Sequence, residues 1–69
     1  MKRFAIKLTK NDDVTILGVR ETKEQAIALG LELRKQYSRD AGLLALIEGE
    51  FNNEGKMISP SYKLHEVIR

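Results

Sequence analysis

Proton transfer near neutral pH falls first to histidine, and this chain has one, His65, with no cysteine beside it as an alternative nucleophile. Glu66 follows His65, but neighbours on an extended chain point to opposite faces, so the two cannot act as a dyad. His65 therefore reads as a surface or edge histidine. Glu48 and Glu50 lie two apart and share a strand face, a spacing that serves acid/base chemistry or a hard cation. No third ligand follows at a motif spacing, so they read as solvated edge charges that discourage aggregation. Asp12 and Asp13 lack the alternating acidic spacing and glycine of a calcium loop. Ser38, Ser59 and Ser61 sit in nothing resembling a nucleophile elbow, and no glycine-rich phosphate loop is present. These residues imply no enzyme: no catalytic, cofactor-binding or metal residue is assigned, and no small-molecule substrate is implied.

The basic side chains offer a different chemistry. Arg3 and Lys7 share one face of the first segment, and Arg34, Lys35 and Arg39 gather near the end of a helical one. Brought together, the five would form a stripe able to neutralise phosphates. Twelve basic residues against ten acidic ones give a net charge of only +2, and four aromatics leave few stacking platforms for a single strand. A nucleic-acid partner is thus the alternative reading, and a solvated charged surface the preferred one.

The elements that position these residues follow from periodicity. Lys2 to Thr9 alternates, with Phe4, Ile6 and Leu8 on one face. Lys10 to Asp13 supplies turn chemistry, and Val14 to Arg20 is rich in β-branched residues. Thr22 with Gln25 three residues on makes a capping box, after which Ala26, Leu29, Gly30, Leu33 and Tyr37 form an apolar stripe at helical spacing. Asp40-Ala41-Gly42 closes the segment, Gly42 being the expected site of reversal. Leu43 to Phe51 is a third strand, Asn52 to Lys56 a hairpin loop with Gly55 at positive φ, and Met57 to about Val67 a fourth strand with Pro60 on an edge or at a bulge. The stretch Thr22-Lys23-Glu24-Gln25-Ala26 is similar to the T-x-E-E-A helix start of many small α/β domains, HicB-type antitoxins among them. That likeness covers five residues, Gln25 departs from it, and it transfers no function.

The order β-β-α-β-β predicts an α+β fold: a four-stranded, mainly antiparallel sheet with one helix packed on one face, all in a single domain over residues 1–69. Register in the second hairpin stays open. With a bulge at Pro60, Tyr62 and Leu64 join Ala45 and Ile47 on the helix side; without one they face away with Leu44 and Leu46.

One feature bears on function. Strands two and three are apolar in both directions, whereas a sheet covered on one face only should be polar on the other. Leu17, Val19, Leu44 and Leu46 are the expected interaction surface, used for self-association through the open sheet face or an edge strand. The plainer reading is that strand three is central and shielded by long side chains, or that Val67 and Ile68 fold over it. The expected partner is a second copy or another protein. A hydrophobic share of 42% argues for a folded chain, no apolar run approaches a membrane span, and the absence of cysteine fits the cytoplasm.

Overall fold

The computed structural model describes residues 2–68, Pro60 through its backbone only. The elements run β1 (Lys2–Lys10), β2 (Asp13–Arg20), α1 (Lys23–Gln36), a short 3₁₀ turn (Arg39–Ala41), β3 (Leu43–Phe51) and β4 (Met57–Ile68). They form an α+β fold with one antiparallel sheet in the order β2-β1-β3-β4 and α1 across one face.

Local chemistry accounts for most boundaries. Asn11 adopts φ 57°, so the turn between paired Lys10 and Asp13 needs only two residues. Thr22 Oγ1 accepts the backbone N–H of Gln25 at 3.2 Å and caps α1. The helix ends sooner than its apolar stripe implies: Tyr37 is already extended and serves as the C-cap. Reversal does fall at Gly42, which closes the separate 3₁₀ turn with φ 136°. Asn52 holds the second hairpin loop, its side-chain oxygen accepting the N–H groups of Glu54 and Lys56.

Each edge strand carries a bulge, and the bulges decide which side chains meet the helix. In β2, Ile6 pairs with Gly18 but Lys7 with Ile16, so Leu17 is extra and turns to the helix side. In β4, Leu46 pairs with Glu66 but Ile47 with Leu64, so His65 is extra. The main core then comprises Ile6, Ala26, Leu44, Leu46 and Ile68, flanked by Phe4, Leu8, Leu17, Leu29 and Leu33. Gly30 marks the closest approach of helix to sheet: a Cβ there would stand 3.0 Å from Ile6 Cδ1 and 3.1 Å from Ile68 Cγ1.

This register corrects the expected surface. Leu44 and Leu46 are 2% and 0% exposed beneath α1, and Leu17 packs against the same core. Of the four residues expected to face outward, Val19 alone lies on the far side, where it flanks a second cluster. The odd-numbered residues of β3 form that far face. Tyr62 and Leu64 do accompany Ala45 and Ile47, but on the open side and not under the helix. Val67 and Ile68 stay within β4 and do not fold over anything.

Candidate interaction surface

Pairing across the sheet defines the open face as a grid, because directly opposed residues share a side. From β2 to β4 its rows read Val14, Thr9, Leu43; then Ile16, Lys7, Ala45, Val67; then Val19, Ala5, Ile47, Leu64; then Arg3, Gly49, Tyr62. Phe51 and Met57 pair at the far end.

Part of this face is covered by the chain itself. Ala5, Ile47 and Phe51 are buried in a second cluster with Ile16, Val19 and Met57 packed around them. The tip of the β3–β4 hairpin curls back over the sheet to make this possible. A Cβ on Gly55 would lie 3.5 Å from Val19 Cγ2, which places the loop above β2. Arg3 pins it, donating from Nη1 to the Asn52 carbonyl and from Nη2 to Asn53 Oδ1, both at 3.2 Å. The bend falls where pairing slips between Gly49 and Phe51, opposite the stretch of β4 that includes Pro60.

Long side chains shelter the middle of the face. Lys7 Nζ donates to Tyr62 Oη at 2.9 Å and lies 4.8 Å from the centre of the tyrosine ring. Lys7 starts on β1 and Tyr62 on β4, so the lysine stem must cross β3, where Ala45 and Ile47 are buried. Shielding by long side chains, set against a partner at the sequence level, thus accounts for part of the apolar excess.

What remains uncovered lies together. Val14, Leu43, Tyr62 and Leu64 are each 42–54% exposed and all belong to the open face; the other exposed large hydrophobics among the described residues are Leu31 and Ile58. Half-buried Val67 links Leu43 to Leu64. The result is a strip along β3 and β4 with Val14 on the opposite edge.

The five basic residues do not form one stripe. Arg3 and Lys7 sit on the open face and are engaged by the hairpin loop and Tyr62. Lys35 stands near Glu32 on the outer helix surface, at 3.8 Å, an exposed pairing of small energetic weight. Arg34 and Arg39 stay together at the other end of the sheet, with Lys10 beside them.

His65 and Glu48 correct the edge-charge reading. β3 is an interior strand, and Glu48 is only 26% exposed in its side chain. His65 Nε2 lies 2.9 Å from Glu48 Oε1, with its ring 5.6 Å from that of Phe4. The bulge supplies this contact by turning His65 inward, which the alternation of an unbroken strand does not allow. The hydrogen bond from His65 lowers the Glu48 pKa below its ordinary value of 4.5; burial opposes this, and the charges of His65, Lys2 and Lys63 assist it. A carboxylate depressed in the fold stabilises it above the unfolded pKa and loses that effect as pH falls through the folded one. Glu48→Gln should therefore flatten the fall in stability on acidification below about pH 4.5. Denaturant melts at stepped pH read this directly, and parallel curves for the two proteins would show that the pair carries no such linkage.

Among the described residues, no group of three or more histidine or acidic side chains stands together as metal ligands, and no helix is long and apolar enough to cross a membrane. No protein-family model, curated protein or solved structure matches this chain, so the function of the uncovered strip rests on its geometry and chemistry.

Proposed function

We propose that this chain is a non-enzymatic, cytoplasmic protein-interaction module that self-associates through the open face of its sheet. The observation that carries the reading is the gathering of Val14, Leu43, Tyr62 and Leu64 on the one face the helix leaves bare. A second copy suits this surface for three reasons. The cations on it, Arg3 and Lys7, already have partners within the chain, so no foreign anion is called for. A two-fold axis sets the same apolar strip against itself, the commonest oligomeric arrangement. Domains of this size also gain most from added burial, since their own cores are thin.

The face favours over the edges as the contact. Both edge strands are bulged, β2 at Leu17 and β4 at His65 and again before Tyr62, and bulges disrupt edge-to-edge pairing. Four strands about 30 Å long and ~4.8 Å apart make a face of roughly 600 Å² per copy, part of it beneath the hairpin tip, so each copy offers less than the ~800 Å² of a standard interface. The dimer should be correspondingly weak, with a dissociation constant on the order of 100 μM.

Sedimentation from about 10 μM to 1 mM tests this. The wild type should shift from monomer to dimer, and Leu64→Asp should weaken the dimer at least tenfold while leaving circular dichroism unchanged. Leu31→Asp, on the outer helix surface, should leave association intact. A wild-type monomer at the top concentration, or equal disruption by both substitutions, sinks the proposal.

A further inference from the structure

At the end of the sheet where β1 stops and β3 starts, a cleft of about 680 Å³ opens between the β1–β2 turn, the C-terminal turn of α1 and the 3₁₀ turn. Leu43, Leu44, Val67 and Ile68 line its floor, and because Leu44 and Ile68 are buried beneath α1 at 2% and 4% exposure, the apolar surface open to a ligand is that of Leu43 and Val67. Among the described residues, its rim carries three cations, Lys10, Arg34 and Arg39, against a single carboxylate, Asp40. The side chains of Lys10 and Arg39 make no hydrogen bond or ion pair with the described residues, and Asp40 pairs with neither. Arg34 is half-buried and spends one donor on the Ile68 carbonyl, at a long 3.4 Å. A guanidinium has five donors, so most of its capacity is unspent.

We propose that this cleft binds an organic phosphate, with Arg34, Arg39 and Lys10 on the phosphate and the apolar floor beneath the organic part. Two forked guanidinium groups match phosphate oxygens in a way that scattered ammonium groups do not. The bland role of these cations, complementing the negative end of the α1 dipole, covers Arg34 and Lys35 but not Lys10 or Arg39, which lie on other elements. The volume falls within the range of small-ligand sites, and the mix of apolar floor and few charged groups is typical of them. Leu43 borders both this cleft and the open-face strip, but the inference does not depend on self-association.

Amide chemical shifts of the Leu64→Asp variant, chosen to weaken any self-association, provide the test. A nucleoside monophosphate, inorganic phosphate and a short single strand with or without a 5′-phosphate are the probes. The nucleoside monophosphate should move the amides of Asn11, Gly42 and Val67 and bind about tenfold more tightly than inorganic phosphate, because only it uses the floor. Binding of the 5′-phosphorylated strand alone among the two strands would place the site at a nucleic-acid end; binding of neither would make the free nucleotide the ligand. The pair Arg34→Gln and Arg39→Gln should weaken the interaction at least tenfold, and Lys35→Gln should leave it unchanged. Should the double variant unfold, Lys10→Gln at the exposed end of β1 serves in its place. No response at about 5 mM nucleotide, or inorganic phosphate binding as well as nucleotide, overturns the inference.

Discussion

Leu46→Ala is expected to destabilise the fold by about 2–5 kcal/mol, the cost of emptying a fully buried leucine site whose surroundings cannot collapse. Leu46 is 0% exposed on the central strand β3, pressed between the sheet and α1. Domains of this size have about twice that stability in total, at ~0.05–0.15 kcal/mol per residue. A thermal melt should accordingly fall by roughly 10–25 °C, since each kcal/mol moves the midpoint of so small a domain by several degrees. Leu43→Ala makes the comparison, being the same change three residues away on the open face of the same strand, where the side chain is 53% exposed. Its cost should stay below about 1 kcal/mol. Equal effects at the two positions would mean that the even and odd residues of β3 are not divided between helix and open face as described.

Gly42→Ala comes next in size. Gly42 holds φ 136° and ψ −173°, a region that only glycine enters freely. An added Cβ would also stand 2.6 Å from the Thr9 carbonyl oxygen and 2.9 Å from Leu8 Cδ1. The first of these is backbone, and it cannot retreat without opening the Thr9–Leu43 pairing that starts the central β1–β3 ladder. Strain and clash together should cost about 3 kcal/mol or more. Gly55→Ala separates the two contributions. Gly55 also has positive φ, 79°, but its nearest neighbour would be Val19 Cγ2 at an ordinary 3.5 Å. Its loss should be nearer 1–2 kcal/mol, as expected for a left-handed conformation alone. Chemical denaturation of both variants decides the matter, and a Gly42→Ala midpoint within experimental scatter of the wild type would contradict the described turn.

The elements and their order were determined by the sequence alone. Alternation in Lys2–Thr9, the turn residues at Asn11–Asp12, the Thr22 cap and the Asn52–Lys56 loop are local properties, and a β-β-α-β-β arrangement leaves little freedom in how one helix covers four strands. The apolar excess on strands two and three is legible there too, but the chain itself covers most of it and leaves only Val14 and Leu43 of those strands exposed. Which residues compose the uncovered strip was a matter for tertiary structure. β3 is apolar on both sides, so its own pattern cannot say which face meets the helix. That choice follows from Gly30 meeting Ile6 and Ile68, whereas the bulges at Leu17 and His65 turn one extra side chain inward on each edge strand. A bulge changes the parity of everything beyond it on its own strand while leaving almost no trace in composition; β3 is unbroken against β1, and pairing with Ile6 and Leu8 puts Leu46 and Leu44 on the helix side. Long-range closure decided the rest: Arg3 reaches the loop about fifty positions away, Lys7 crosses β3 to Tyr62, and Lys10 joins Arg34 and Arg39, pairings between distant stretches of chain that no local period records.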